Sequence, residues 1–269
     1  MASFSVVNNI ASANAQANLV QTQMGLQRAL NRLSSGYRIN ASGDDAAGLV
    51  VANGYRTDIA VINQGIRNAN DGMSDLQIKD GAMSNIATLL DRLATLATQA
   101  SSGTTGSASR TTLNAEFKDV VDEISREATV AGLDTTGGTG FSVYVSAASG
   151  GNGKVTGTIA TVTTTSLKVN SFDLVTAAST AVDNVKLGIA ALGEAQAKVG
   201  ALENRLQYAI SLAQSQSVNT KAAESRIRDA NVAEESANMT RYNILTQSGV
   251  AALAQANQST SAVLSLLKG

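Results

Sequence analysis

From Tyr55 to Ala100, apolar side chains return every third or fourth residue: Tyr55, Ile59, Ile62, Ile66, Ala69, Met73 and Leu76, then Met83, Ile86, Leu90, Leu93, Ala97 and Ala100. Asp80 fills one place in the series, and a 3-3 step around Met83 is its one irregularity. This spacing puts the whole set on one face of an α-helix. No proline interrupts it anywhere in the chain. The pattern predicts a helix of about 55 residues starting near Asp44, about 80 Å long at 1.5 Å per residue. The run Ser101-Ser102-Gly103-Thr104-Thr105-Gly106 ends it. A helix of that length cannot cover its own stripe. It needs partner helices.

The sequence offers them. Leu113, Phe117, Val120, Ile124 and Ala128 share a face of a shorter helix that stops near Gly132. Val182, Val185, Ile189, Leu192, Gln196, Val199, Glu203, Leu206, Ile210 and Ala213 form a second long stripe, the natural partner of the first. The two chain ends carry weaker versions. Ile10, Ala13, Ala17, Val20 and Met24 step by 3, 4, 3 and 4, with Leu19, Leu26, Leu30 and Leu33 as a second stripe beside them. Val250, Leu253, Asn257, Thr260, Leu264 and Leu267 do the same near the C-terminus. These end seams use small residues and are flanked by Asn and Gln (Asn14, Asn18, Gln21, Gln255, Asn257, Gln258) rather than charge. They bury little area and are marginal alone in water. The expectation is that they stay disordered until neighbouring copies of the chain cover them, and that the two chain ends lie side by side.

Between the first two helices, Leu33 to Leu49 reads as helix stop, extended link and helix start. Gly36 suits the left-handed residue that closes a helix, with Tyr37 packing back on the last turn. Ser42 offers a side-chain oxygen as N-cap, with Asp44 and Asp45 as first-turn carboxylates. Residues 134–180 change character. Phe141, Val143 and Val145 alternate with Ser142, Tyr144 and Ser146, Gly150-Gly151-Asn152-Gly153 reads as a turn, and Val155 to Thr165 as the returning strand.

Composition excludes several function classes. Aromatics are only 3% of the chain, with no Trp, so thin helical cores are expected rather than a compact globule. Twenty basic residues face 21 acidic ones, without a basic block for nucleic acid or anionic lipid. Near-neutral charge favours self-association. With no His and no Cys, the usual proton shuttle, zinc chemistry and disulfides are missing. A serine nucleophile would lack its usual base. The N-terminus has neither a basic n-region nor an apolar h-region, so no cleaved secretory signal is expected. No apolar run approaches the ~18 residues that span a bilayer. Asp44-Asp45 is not an acid–base dyad, because adjacent residues on a helix diverge. Gly153-Lys154 is not a phosphate loop, since Ala148 and Val155 stand where that motif needs Gly and Ser or Thr.

Two long segments resemble bacterial flagellin: LNRLSSGYRINASGDDAAGLVVANGYRTDI, Leu30 to Ile59, and AAESRIRDANVAEESANMTRYNILTQSGVAALAQANQSTSAVLSLL, Ala222 to Leu267. The likeness covers roughly residues 1–135 and 180–269, leaving the middle unmatched. It implies a mainly α fold, an elongated coiled-coil rod with paired N- and C-terminal helices and a small β-hairpin insert. The implied division is 1–42 and 224–269 for the two halves of an inner coiled coil, 43–134 and 181–223 for the two halves of a rod, and 135–180 for a short β-rich variable region. The implied function is structural: a filament subunit for swimming motility, without cofactor or metal, exported unfolded by a type III apparatus and polymerised at the filament tip. Implied partners are further copies of the chain, the flagellar cap and hook-associated proteins, and an export chaperone on the C-terminal segment. No nucleic acid or membrane partner is implied, and the implied location is extracellular. The residues assigned to self-assembly are Ile10, Ala17, Leu26, Leu33, Gly36, Arg38, Asp44, Asp45, Ile244, Leu253, Asn257 and Leu264. An innate-immune Toll-like receptor is a further implied partner, through Arg92, Leu96 and Glu116, although the surrounding LATLAT departs from the family's usual pattern. Two other departures are Gly132-Leu133-Asp134 in place of a Phe-Asn-Gly turn, and Thr260 where the family has a proline. The rival readings are a hook–filament junction protein and a type III-secreted coiled-coil effector or scaffold.

Overall fold

The computed structural model describes residues 8–146, 153–170 and 172–268, with backbone alone for 259–268. The elements run α1 (Ile10–Ser35), α2 (Ala46–Ser101), α3 (Ser107–Val130), β1 (Thr139–Tyr144), β2 (Lys154–Ile159), α4 (Ala178–Arg228) and α5 (Val232–Lys268). The fold is mainly α with one two-stranded antiparallel sheet. The 56 residues of α2 run where the uninterrupted stripe predicts them. The chain divides into two compact units. One holds the described residues up to Thr57 and from Thr220 onward, and the other spans Asp58–Asn219.

The second unit has the conventional core. Leu76, Met83, Ile86, Leu90 and Leu93 of α2 are buried with Phe117 and Ile124 of α3 and with Val185, Leu192, Val199 and Leu206 of α4. The stripe on α4 is shifted relative to expectation. Val185, Leu192, Val199, Leu206 and Ala213 are buried as expected, but the alternating places go to Ala181, Gly188, Ala195 and Leu202 instead of Val182, Ile189, Gln196 and Glu203. At Gly188 the reason is that other backbone comes so close. A Cβ on Gly188 would lie 2.6 Å from the Leu167 carbonyl oxygen. Asp80 is likewise exposed while Lys79 is buried, its Nζ 2.5 Å from Asp75 Oδ1. Burial, and then the charge of Asp80, push the Glu203 carboxyl up from its usual range.

The α3 helix ends as its sequence suggests. Gly132 takes φ 65°, Leu133 N–H donates to Ala128 O at 2.8 Å, and the Leu133 side chain is buried beneath the turn. Strands β1 and β2 pair from Thr139↔Ile159 to Tyr144↔Lys154, with Phe141 and Val145 inward. The turn expected at 150–153 lies outside the described residues except for Gly153, which accepts from Val145 N–H at 2.7 Å. The returning strand stops at Ile159 rather than Thr165. Thr163 and Ser166 bond each other's backbone N–H through their hydroxyls, an alternative that competes with a strand ladder. The hairpin sits directly on the helices. A Cβ on Gly65 would meet the Val145 carbonyl oxygen at 2.0 Å, and one on Gly72 would meet Val143 Cγ2 at 2.7 Å. Two glycines seven residues apart on α2 thus form its seat, and Gly157 of β2 lies as closely on Leu202 of α4.

Candidate functional site

The first unit is built from the antiparallel pair α1 and α5 and the two short links at its base. Asn9 Nδ2 donates to Ala256 O at 3.0 Å and Ser12 Oγ to Asn257 Oδ1 at 2.9 Å at one end. Arg32 Nη1 donates to Glu235 Oε1 at 3.1 Å at the other. In the middle, Gly25 lies under the Tyr242 ring and Gly249 beside Leu19. The two terminal helices therefore lie side by side, as the sequence suggests.

The face of α1 turned to α5 differs from expectation. Ser12, Ala15, Leu19, Thr22, Leu26, Ala29 and Leu33 are its covered positions, a 3/4 series that contains most of the second predicted stripe. Of that stripe, Leu30 is exposed instead. The first predicted stripe is wholly exposed: Ile10 at 61%, Val20 at 49% and Met24 at 47%, with Ala13 and Ala17 also open. On α5 the covered series is Glu235, Met239, Tyr242, Thr246, Gly249, Leu253 and Ala256, while Ile244 is 58% exposed and Val250 also faces out. Neither 10–27 nor 242–258 contains a charged residue. Soluble helices ordinarily keep charge on their open side; this pair keeps Asn, Gln, Ser and Thr there.

Below the pair, the links hold each other. Gly36 ends α1 with φ 73°, its N–H on Arg32 O at 2.9 Å. Tyr37 bridges to Asp229, and the Arg228 guanidinium lies 4.2 Å over its ring. Arg38 N–H donates to Arg228 O at 2.7 Å, and its Nη2 to Ile227 O at 2.8 Å. Ala230 N–H donates to Gly36 O at 2.9 Å. Ser42 is not the helix cap. Asp45 is, its Oδ1 accepting from Gly48 N–H at 2.9 Å. Asp44 turns the other way and accepts from the N–H groups of Asn40 and Ala41. Both carboxylates precede the first turn of α2, which begins at Ala46. The two backbone N–H groups, more than nearby Arg32, hold the Asp44 carboxyl below the usual carboxylate range.

Of the residues assigned to assembly, Leu26, Leu33 and Leu253 thus lie in the α1–α5 seam and Ile10, Ala17 and Ile244 on its open faces. Gly36, Arg38, Asp44 and Asp45 form the link, and Asn257 is bonded across the pair. The Leu264 side chain lies outside the described residues. Sequence spacing missed the contribution of the second link, Asp229 to Asn231. Its one sequence signal is Asn231, whose Oδ1 caps α5 by accepting from Ala233 N–H at 3.1 Å. In the second unit, Arg92 and Glu116 are exposed and ion-paired to each other across α2 and α3. Leu96 is 1% exposed, part of the core, and presents no surface for a partner. Among the described residues no carboxylate cluster could hold a metal, and no helix is long and apolar enough to cross a membrane.

Comparison with known proteins matches residues 6–135 to the bacterial flagellin N-terminal helical region and residues 173–267 to the bacterial flagellin C-terminal helical region. The chain belongs to the flagellin family. The flagellin of Halalkalibacterium halodurans is 37% identical over 97% of this chain and 98% of its own. The flagellar filament 33 kDa core protein of Treponema phagedenis is 33% identical over 97% and 99%. The crystal structure of Bacillus cereus flagellin, 30% identical, covers 59% of this chain and 94% of its own with a TM-score of 0.48. Flagellins are structural proteins, and this one is a self-assembling filament subunit rather than an enzyme.

Proposed function

We propose that the α1–α5 pair, residues 1–42 and 224–269, is the self-assembly surface of this flagellin and lines the inner channel of its filament. Residues 43–134 and 181–223 form the surrounding tube, and 135–180 remain a short outer region. The observation that carries this reading is the open side of the pair, which exposes Ile10, Val20, Met24 and Ile244 and holds no charge over 10–27 and 242–258. In an isolated subunit such a face only costs free energy; between copies it is core. The subunit leaves the cell unfolded through the type III apparatus, its C-terminal segment held by an export chaperone. It joins the extracellular filament at the tip beneath the cap, on a base of hook-associated proteins. Arg92 and Glu116 are the exposed positions at which a Toll-like receptor would meet it.

Seeded, salted monomer viewed by negative-stain microscopy tests the central claim. Long helical filaments are expected, and persistent monomer would sink it. Removal of residues 1–35 should leave a soluble, folded second unit that no longer polymerises. For the receptor, silence of reporter cells exposed to the purified subunit would end that part of the reading.

A further inference from the structure

The described residues between β2 and α4 form neither strand nor α-helix, yet Leu167, Val169 and Leu174 among them are buried. Hydrogen bonds fix this segment in place. Asn114 of α3, itself buried, accepts from Leu174 N–H at 3.0 Å through its Oδ1. Val169 N–H donates to Thr164 O at 2.8 Å, and Lys168 before it takes φ 57°, a backbone conformation that a lysine holds only where its surroundings impose it. Asn170 Nδ2 donates to Thr165 Oγ1 at 3.1 Å, and Asp173 Oδ1 accepts from Val175 N–H at 3.0 Å. The segment is a built wall rather than a slack connection.

Between this wall and α3 lies a groove of about 440 Å³, within the roughly 300–1,000 Å³ of small-molecule sites. Its floor is apolar. Phe117 and Val169 are each 1% exposed, and Phe172 is half-buried beside them. Its rim is polar. Lys118 and Asp122 of α3 stand one turn apart, a spacing at which opposite charges can pair. Neither side chain makes a hydrogen bond or an ion pair among the described residues. Asn170 and Asp173 complete the rim from the opposite wall.

Floor and rim together select a class of ligand. An anion would face Asp122 and Asp173, and a cation would face Lys118. A neutral polyol meets all three as hydrogen-bond partners, its hydroxyls donating to the carboxylates and accepting from the ammonium. Bonds to charged partners are the stronger kind. The apolar C–H face of a sugar ring suits the Phe172 ring. We propose that the groove between α3 and the segment preceding α4 binds a neutral sugar, its ring over Phe172 and its hydroxyls held by Asp122, Lys118 and Asp173. The groove belongs to the second unit, so the proposal stands or falls apart from the assembly reading.

Saturation-transfer difference NMR tests it, with the aromatic protons of the purified full chain irradiated in the presence of glucose, galactose, mannose, N-acetylglucosamine, lactose or cellobiose. At least one sugar should take up saturation, most strongly at the C–H protons of its ring. Asp122→Ala and Lys118→Ala change exposed side chains and should leave thermal unfolding unaltered, while each weakens binding roughly tenfold. Phe172→Ala should abolish the transfer; if it loosens the wall instead, the two α3 variants still decide the matter. Absence of transfer to any of these sugars would overturn the proposal. So would binding that both α3 variants leave unchanged. Transfer to free arginine and to none of the sugars would likewise overturn it, and would make the groove a site for a cationic side chain.

Discussion

Replacing Val20 by Ser should weaken the filament without weakening the subunit. In the subunit Val20 is 49% exposed on the face of α1 away from α5, so little packing is lost there and the cost stays within about 0.5 kcal/mol. On assembly the exposed half is covered. Complete burial of such a side chain stabilises by about 1.5–3 kcal/mol, so the remaining half contributes about 0.7–1.5 kcal/mol. At 1.4 kcal/mol per tenfold, the monomer concentration in equilibrium with filament should rise about 3- to 10-fold. A serine hydroxyl left unpaired in the contact adds about 1–3 kcal/mol and raises it further. The assay is sedimentation of seeded filaments at several total concentrations, with subunit helicity followed in parallel by circular dichroism. Leu19→Ser is the control: Leu19 Cδ1 lies where it would be 3.1 Å from a Cβ on Gly249, so that change strikes the α1–α5 pair itself. An unchanged critical concentration for Val20→Ser, in subunits as helical as wild type, would refute the reasoning.

Asp45→Ala removes the side-chain cap of α2 and should cost about 1 kcal/mol, read as faster amide exchange at residues 46–49. The Asp44 carboxyl is held below its ordinary range chiefly by backbone N–H groups. Its contribution is therefore present above the unfolded-chain carboxylate pKa and is lost as pH falls through the lower folded value; amide protection of residues 38–41 should drop on acidification in wild type and be low and flat with pH in Asp44→Asn. Gly65→Ala and Gly81→Ala make the same change in one helix with opposite expected signs. Nothing lies within 4 Å of a Cβ at Gly81, which should stabilise by about 0.5–1 kcal/mol, whereas at Gly65 the Val145 carbonyl stands 2.0 Å away and the net loss should be about 1–2 kcal/mol. Thermal unfolding compares the two, and equal stability would refute the seating of the hairpin.

Helix positions and ends were legible in the sequence because they are local. The α2 stripe, the Gly36 stop, the Gly132 turn and the absence of proline each act within a few residues of themselves. The paired end signatures also carried the family. What spacing alone could not decide is which of two stripes on one helix meets the partner. Ile10–Met24 is the more regular series, yet Leu19, Leu26 and Leu33 face α5, where Gly25 lies under the Tyr242 ring and Gly249 beside Leu19. Gly188 displaced Ile189 from the α4 seam for a like reason: the Leu167 carbonyl leaves no room for a side chain there. Asp44 and Asp45 look alike in sequence, but only the folded link separates the one that closes its own turn from the one that caps α2. Periodicity is a property of one helix and can be read from one chain. The choice of buried face depends on how near a second backbone comes, and that distance exists only in the tertiary structure.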